Sequence, residues 1–283
     1  MRKRYYWKLK RRELSLGERT LLMGVLNVTP DSFSDGGKYS DPDRAFAHAV
    51  DLEEQGADII DIGAESTRPG SARISAAEEL RRLIPVLKRL KDRLAGPISV
   101  DTYKAEVAER ALEHGAEIIN DPSGLTFEPL LARVVSNHDA GLVLNHMRGR
   151  PETWAKLAPM REPMATIVRD LDAAIGRARG VGIDKSRLVV DPGLGFGKRK
   201  EQNSLILDRL SDLAVLDLPI LAGPSRKSFL VHPSPEETGY ATAAAVAACV
   251  LRGAHIVRVH EVREMRAAAT VADEILLTGR HVS

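Results

Sequence analysis

The sequence is poor in cysteine, in aromatic residues and in long apolar runs. Its single cysteine, Cys249, excludes an intrachain disulfide and provides no spacing of metal ligands. No apolar run is long enough to cross a bilayer. The basic N-terminus is not followed by the apolar stretch that a signal peptide needs. The sequence therefore predicts a cytoplasmic protein with no membrane partner.

The chain also lacks a strong excess of charge of either sign. Its 41 Lys and Arg residues and 39 Asp and Glu residues leave a formal net charge of +2. The most basic segment, residues 2–12, is interrupted by aromatic and apolar side chains. We therefore interpret this segment as a solvated terminal strand, and we expect no nucleic-acid partner.

What the sequence does contain is a repeated alternation of short apolar runs and longer amphipathic segments. Each run is aliphatic or β-branched, as in parallel strands that are covered by helices. The eight runs are residues 21–28, 57–63, 97–102, 117–121, 141–147, 187–193, 219–225 and 255–260. Ser75, with Glu78 three residues later, indicates a helix start. Gly56, Gly115 and Gly253 follow helix-like segments, as glycines at left-handed helix ends do.

Eight strand–helix units predict an α/β protein with a (β/α)8 TIM barrel. Residues 1–20 predict a short N-terminal β-hairpin, with strands at 5–9 and 13–16, that covers the N-terminal end of the barrel. No change of composition marks a linker. We therefore expect residues 1–283 to form a single domain, with the barrel in residues 21–283.

Polar residues lie at the carboxyl ends of the predicted strands, where TIM barrels build their active sites. Asp101, Asn120 and Asp191 lie at the ends of the third, fourth and sixth runs, and Lys227 follows the seventh. A carboxylate accepts hydrogen bonds from an amidine-like edge, an amide donates and accepts, and a lysine donates to a ring carbonyl. These four residues therefore predict a site for a flat heterocycle.

A second polar group lies at or just after the ends of the first, second and eighth runs, which are neighbours in a closed barrel. Its members are Asn27, Arg68, Arg258 and His260. Two guanidinium groups beside a histidine suit a pyrophosphate, because each guanidinium offers a bidentate fork to phosphate oxygens. The amide oxygen of Asn27 suits Mg²⁺, which prefers hard oxygen ligands. This group predicts a pyrophosphate site with a metal contact.

Several of these segments resemble signatures of the bacterial dihydropteroate synthase family. Residues 27–37 (NVTPDSFSDGG) resemble the first signature and residues 65–70 (ESTRPG) the second. The match continues in order through residues 99–104, 119–121, 191–198, 225–227 and 258–260, and it covers essentially all of residues 21–277.

The resemblance implies a folate-biosynthesis transferase with two small-molecule substrates. In this reaction p-aminobenzoate displaces pyrophosphate from 6-hydroxymethyl-7,8-dihydropterin diphosphate, with assistance from Mg²⁺, and 7,8-dihydropteroate forms. The resemblance further implies a homodimer that is a target of sulfonamides.

Roles for individual residues are implied in the same way. The pterin is held by Asp101, Asn120, Asp191 and Lys227. The pyrophosphate is held by Asn27, Arg68, Arg258 and His260, with Asn27 also contacting the metal. The p-aminobenzoate pocket contains Phe33, Thr67, Pro69, Phe196 and Ser228. The catalytic residues that the resemblance implies are Asp35, Asp101, Lys227, Arg258 and His260.

The sequence departs from the family pattern at four positions. Ala64 replaces a glycine, Pro122 an aliphatic residue, Asn145 a hydrophobic residue and Glu261 an aspartate. Only Asn145 falls near the expected floor of the pterin site, where we expect it to change affinity.

Three other interpretations stay open. A pterin-dependent methyltransferase shares the barrel and a similar pterin pocket. A paralogue that binds pterin without turnover would retain the same residues. Lys227 at the rim of a barrel also has the position of a Schiff-base lysine, as in aldolases.

By contrast, Gly193, Gly195 and Gly197 have the wrong spacing for a dinucleotide fingerprint, and we expect them to let the backbone approach a ligand closely.

Overall fold

The computed structural model describes residues 2–29, 42–66 and 71–278. Two short strands, β1 (Tyr5–Lys8) and β2 (Glu13–Leu16), form an antiparallel hairpin in which Tyr5 lies opposite Leu16. The following strands are β3 (Leu21–Asn27), β4 (Ile59–Gly63), β5 (Ile98–Asp101), β6 (Ile118–Asp121), β7 (Gly141–Asn145), β8 (Leu188–Asp191), β9 (Leu221–Ala222) and β10 (Ile256–Val259). The predicted hairpin and all eight predicted strands are confirmed, although β9 is only two residues long.

The eight later strands form one parallel sheet in the order β8-β7-β6-β5-β4-β3-β10-β9. A parallel bridge between Val190 and Ile220 joins β8 to the residue that precedes β9. This bridge brings the two edges of the sheet together and closes the predicted barrel.

Helices separate the strands and cover the outside of the barrel. They are α1 (Pro42–Glu54), α2 (Ala76–Leu90), α3 (Ala105–Glu113), α4 (Leu130–Asn137), α5 (Pro163–Gly180), α6 (Lys200–Asp208), α7 (Pro235–Leu251) and α8 (Val262–Thr278). The Ser75 side chain accepts a hydrogen bond from the backbone N–H of Glu78 at 3.2 Å, so the predicted start of α2 is confirmed. Gly56, Gly115 and Gly253 have φ values of +103°, +104° and +101°, which confirms the predicted helix ends. Within the described ranges, none of the helices has the length and apolar character needed to span a membrane.

Side chains alternate across a strand, so residues two apart point to the same face of the barrel. One set of inward-pointing side chains forms an apolar layer with the hairpin. This apolar layer consists of Trp7, Leu9, Leu16, Leu21, Met23, Ile59, Ile118, Val143, Val189, Leu221 and Ile256. Trp7 is fully buried, and its Nε1–H donates to the carbonyl oxygen of Arg187 at 2.9 Å. The hairpin therefore closes the N-terminal end of the barrel, as the sequence predicts.

Candidate active site

On five strands of the barrel, an inward-pointing apolar residue is followed two positions later by an inward-pointing polar residue. Ile59, Ile118, Val143, Val189 and Ile256 belong to the apolar layer. The residues two positions later, together with Asp101 on β5, form what we call the polar layer. It consists of Asp61, Asp101, Asn120, Asn145, Asp191 and Arg258.

Above the polar layer lies a cavity of about 480 Å³ at the carboxyl ends of the strands. All four residues of the predicted heterocycle set, Asp101, Asn120, Asp191 and Lys227, line it. The predicted phosphate and arylamine contacts that also line it are Asn27, Arg258, His260, Phe196 and Ser228. The structure thus brings together every predicted site residue that it describes. The remaining five, Phe33, Asp35, Thr67, Arg68 and Pro69, lie outside the described residues.

Arg258 joins two carboxylates of the polar layer. Its Nε donates to Asp61 Oδ2 at 2.6 Å, and its Nη2 donates to Asp101 Oδ2 at 3.0 Å. The Nδ2 of Asn120 also donates to Asp61 Oδ2, at 3.1 Å. Arg258, to which we assigned pyrophosphate binding, is therefore also bound to two carboxylates beneath the cavity.

Asp61 belongs to the polar layer and contacts two cavity residues, Arg258 and Asn120, but no role was predicted for it. It is fully buried, and its Oδ1 forms no hydrogen bond within the described part of the chain. The apolar-to-polar change two residues after Ile59 is the same signal that marks the other members of the polar layer. That signal could have identified Asp61, whereas its bonds to Arg258 and Asn120 required the fold.

Burial changes the protonation of the ionisable groups around the cavity. It raises the pKa of Asp101 to about 7; Arg258 opposes the shift and the carboxylate of Asp61 adds to it. Burial also raises the pKa of Asp191 to about 6, even though the backbone N–H of Gly193 donates to its Oδ1 at 2.7 Å. Burial, with the nearby Arg258, lowers the pKa of Lys227 to about 8. Strong shifts of this kind are concentrated at functional sites.

The segment after β9 places Lys227 over the cavity. The Nζ of Lys227 lies 3.8 Å from the centroid of the Phe196 ring. Arg226 has a φ of +55°, and its guanidinium pairs with Glu261. The Oγ of Ser225 lies 2.8 Å from His260 Nδ1. Residues that follow β10 therefore hold the turn that presents Lys227.

The three glycines after β8 have positive φ values of +69°, +81° and +68° at Gly193, Gly195 and Gly197. A Cβ at Gly193 would lie 1.9 Å from the carbonyl oxygen of His146, and one at Gly195 would lie 2.8 Å from Lys227 Cδ. We predicted that these glycines let the backbone approach a ligand. The atoms that exclude a Cβ at these positions are protein atoms. Gly195 also lines the cavity, and the close approach of its backbone to a ligand stays a prediction.

Lys198 holds this glycine segment in place, and the sequence analysis assigned it no role. Its buried Nζ donates to the carbonyl oxygens of His146 at 2.9 Å, Gly193 at 2.7 Å and Phe196 at 3.2 Å. Burial lowers the pKa of Lys198 well below its ordinary value. Lys198 thereby joins the glycine segment to the end of β7, next to Asn145 in the cavity wall.

A buried ion-pair cluster supports the second loop of the barrel. The Nζ of Lys104 pairs with the carboxylates of Glu65 and Glu79. The hydroxyl of Tyr103 donates to Glu65 Oε1 at 3.2 Å. Because Glu65 also lines the cavity, this cluster fixes the chain where it leaves β4 towards the second signature.

Oxygen atoms beside the cavity fit the ligand preference of a magnesium ion. In the described ranges, no group of three or more His, Cys, Asp or Glu side chains could hold a metal by itself. Asn27 Oδ1 and Asp101 Oδ2 face Gly63, where an added Cβ would lie 3.5 Å and 4.0 Å from them. Mg²⁺ commonly binds through one or two protein oxygens plus substrate phosphates and water. Asn27 would hold such an ion from the protein side.

Comparison with known proteins agrees with this geometry. The profile of the family described as "Pterin binding enzyme" matches residues 23–260. A dihydropteroate synthase of Synechocystis is 43% identical, over 92% of this chain and 91% of the relative. The chain therefore belongs to the pterin-binding enzyme family, and within it to the dihydropteroate synthases, which are transferases.

Solved structures of such enzymes share the fold. The dihydropteroate synthase of Xanthomonas albilineans with 4-aminobenzoic acid superposes with a TM-score of 0.89 at 40% identity, over 97% of this chain and 99% of the other. A second structure of that enzyme, in complex with 7,8-dihydropteroate, has a TM-score of 0.85 at 38% identity, over 96% and 98% of the two chains.

Proposed function

We propose that this chain condenses 6-hydroxymethyl-7,8-dihydropterin diphosphate with p-aminobenzoate to give 7,8-dihydropteroate and pyrophosphate. The observation that carries the proposal is the convergence of Asp101, Asn120, Asp191 and Lys227 on one cavity from four separate units of the barrel. The membership of the chain among the dihydropteroate synthases supports the same reaction.

The edge of the planar pterin ring carries hydrogen-bond donors and acceptors, and each of them needs a partner in the site. The carboxylate of Asp191 accepts from the pterin amino group and N3–H, with Asn120 beside it. Asn120 Oδ1 is buried and is not hydrogen-bonded to any described residue, which leaves it available as an acceptor. Lys227, with a pKa of about 8, is largely protonated at neutral pH and donates to the ring carbonyl.

The diphosphate lies on the side of the cavity formed by the ends of β3 and β10. Arg258 and His260 would contact its oxygens, together with Asn27 and with Arg68 from outside the described residues. Asn27 would hold a Mg²⁺ ion on this side, and the ion would supply positive charge opposite the charge of the phosphates. Arg258 already lies against Asp61 and Asp101, so its position does not depend on the diphosphate.

The reaction breaks the bond between the pterin methylene carbon and the diphosphate oxygen, and the electron pair leaves with pyrophosphate. The positive charge that remains spreads into the electron-rich dihydropterin. The buried carboxylate of Asp101, with Asp35, stabilises this charge, because fixed charges act strongly in a site that excludes water.

The amine nitrogen of p-aminobenzoate then bonds to the methylene carbon and loses a proton to solvent. Phe196 and Ser228 form its pocket, together with Phe33, Thr67 and Pro69. We also propose that sulfonamides compete with p-aminobenzoate there.

We further propose a homodimer formed through α7 and α8. Both helices expose large apolar side chains: Tyr240 is 66% exposed, Val271 57% and Ile275 53%. Apolar surface of this kind on packed neighbouring helices is typical of interfaces. Sedimentation at micromolar concentration would show a dimer, and Ile275→Glu should shift it towards the monomer.

The function is tested by release of pyrophosphate from the pterin diphosphate in the presence of Mg²⁺, with and without p-aminobenzoate. We expect release that depends on p-aminobenzoate and yields dihydropteroate. Pterin binding without turnover would indicate the non-catalytic paralogue. Methyl transfer from methyltetrahydrofolate to a corrinoid protein would indicate the methyltransferase. Borohydride trapping of a carbonyl substrate on Lys227 would indicate the aldolase chemistry.

A further inference from the structure

Asn145 lies at the carboxyl end of β7 and is paired in register with Asp191 on β8. Val143, two residues earlier, belongs to the apolar layer, so the side chain of Asn145 also points into the barrel. It lines the cavity and is only 5% exposed. The carboxamide is therefore part of the cavity floor, level with the carboxylate of Asp191.

The hydrogen bonding of Asn145 is incomplete. Its buried Oδ1 accepts no hydrogen bond from the residues that the structure describes. Asn203, which is also buried, is satisfied: its Oδ1 accepts from Gly195 N at 2.7 Å, and its Nδ2 donates to the carbonyl oxygens of Lys198 and Arg199. Buried polar atoms are normally paired, and an unpaired one destabilises the folded protein. The role of Asn145 is therefore not explained by stability.

No hydrogen bond to Oδ1 within the described residues requires an amide at this position. The inward-pointing residue below it on the same strand, Val143, is apolar. A side chain without polar atoms would leave nothing unpaired. The amide thus adds a polar group to the cavity where the fold itself does not need one.

We propose that Asn145 is a substrate-binding residue that hydrogen-bonds the polar edge of the pterin, between Asn120 and Asp191. This assignment rests on the proposed function of the cavity. A carboxamide can present either its oxygen or its NH₂ group after a 180° turn, so Asn145 can donate to or accept from the heterocycle. It would supply a further polar contact for the ring, separate from the diphosphate and the arylamine.

The test uses Asn145→Leu, which keeps the number and branching of the side-chain heavy atoms, adds the bulk of two methyl groups and removes both polar atoms. Binding of 6-hydroxymethylpterin, which has no diphosphate, is measured by calorimetry, and the midpoint of thermal unfolding is measured without ligand. We expect the Kd for this pterin to rise about tenfold, as expected for the loss of one buried hydrogen bond. The unfolding midpoint should equal or exceed that of the unmodified protein, and the KM for p-aminobenzoate should change by less than about twofold.

Ser99→Ala is the matched control. Ser99 Oγ is also fully buried and unpaired within the described ranges, but Ser99 lies below Asp101 on β5 and does not line the cavity. Its replacement should leave the Kd for the pterin within about twofold of the original value. Two variants that both lose an unpaired polar atom should therefore differ only in ligand binding.

Unchanged pterin binding by a folded Asn145→Leu protein would overturn the role of Asn145 alone. Asn145→Ala provides the same test should the leucine variant fail to fold, because it also removes the amide but adds no bulk. Failure of the unmodified protein to bind 6-hydroxymethylpterin would overturn the proposed function, and the role of Asn145 with it.

Discussion

The apolar layer and the polar layer of the barrel interior lie on the same strands, two residues apart. The apolar layer is filled by aliphatic side chains and by Trp7, whose only polar atom is hydrogen-bonded. In the polar layer, Asp61, Asn120 and Asn145 each have a buried oxygen without a partner among the described residues. The comparison shows that one end of a continuous sheet can serve stability while the other end serves binding.

The polar layer destabilises the protein when no ligand is bound. Burial raises the pKa values of Asp101 and Asp191 because it disfavours their charged forms. Functional sites commonly break the rules of packing and polar satisfaction, and the rest of the fold compensates. In this chain the compensation comes from the apolar layer and from the helix-covered outer face of the sheet.

The largest effect on stability is expected from removing the side chain that fills the bottom of the apolar layer. Trp7→Ala should lower the free energy of unfolding by about 3–5 kcal/mol, because it deletes a fully buried aromatic side chain. In the protein that remains folded, kcat/KM should change by less than about twofold, since Trp7 does not line the cavity. Tyr6→Ala, at a side chain that is 60% exposed, is the control. A large loss of activity in folded Trp7→Ala protein would contradict the separation of the two layers.

The reverse experiment changes the polar layer. Asp191→Asn should lower kcat/KM for the pterin substrate about 100-fold or more, because charge-assisted hydrogen bonds to the heterocycle are lost. Thermal stability at pH 7.5 should not fall, since the amide carries no buried charge. A decrease in activity of less than about tenfold would contradict the assignment of Asp191.

Asp121→Asn is the matched control for that variant. Burial also raises the pKa of Asp121 to about 6, but its carboxylate accepts from Ser123 and from the backbone N–H of Leu125, and it does not line the cavity. The substitution replaces an acceptor oxygen with an NH₂ group that faces one of these donors. The free energy of unfolding should therefore fall by about 1–3 kcal/mol. Folded Asp121→Asn protein should keep its activity.

A smaller effect is expected where the hairpin meets the start of β7. A Cβ at Gly141 would lie 2.5 Å from Leu9 Cδ2 and 3.1 Å from the ring of Trp7. Gly141→Ala should therefore destabilise the protein by about 1–3 kcal/mol through overpacking. In a double-mutant cycle, Leu9→Ala should relieve part of this cost. Additive effects of the two substitutions would show that the hairpin does not pack against β7 in this way.

The remaining prediction concerns the pH dependence of stability. The folded-state pKa of Asp101 is raised to about 7, above its ordinary value of 3.8. The folded protein therefore binds a proton that the unfolded chain releases, and stability falls as pH rises from about 4 to about 7. Asp101→Asn lacks this titration, so its stability relative to the original protein should increase over that interval. His146 and His255, whose pKa values are lowered to about 3 and about 4 by burial, titrate with the opposite sign.

Chemical denaturation at a series of pH values measures the free energy of unfolding of the Asp101→Asn variant and of the original protein. The histidines are present in both proteins, so their contribution cancels in the comparison. If the two proteins differed in free energy of unfolding by a constant amount between pH 4 and pH 8, Asp101 would not be protonated in the folded protein near neutral pH.

Much of the architecture could be predicted because its signals are local. The apolar runs, the capping serine at residue 75 and the glycines at helix ends each lie within a few residues of the element that they define. The ends of the strands predicted that Asp101, Asn120 and Asp191 lie together, because parallel strands share one carboxyl edge, and all three line the cavity. The predicted p-aminobenzoate contacts at residues 33, 67 and 69 lie outside the described residues and stay predictions.

The remaining features of the site depend on contacts between distant segments. Arg258 and Asp61 are 197 positions apart in the chain, and Lys198 donates to a carbonyl oxygen 52 positions away. No local pattern encodes such pairs, because they arise from the register of neighbouring strands and from the closure of the sheet. The glycines after β8 illustrate the same limit, since the atoms that exclude a Cβ there belong to other loops.

The sequence by itself determined the number and order of the strand–helix units, the hairpin and the chemical types of the residues at the strand ends. These depend on periodicity and on local backbone preferences, which act over a few residues. The tertiary structure decided which carboxylates share Arg258, which buried oxygens stay unpaired and which pKa values are shifted. Those properties depend on burial and on distances across the closed barrel, which exist only after the first and last strands have paired.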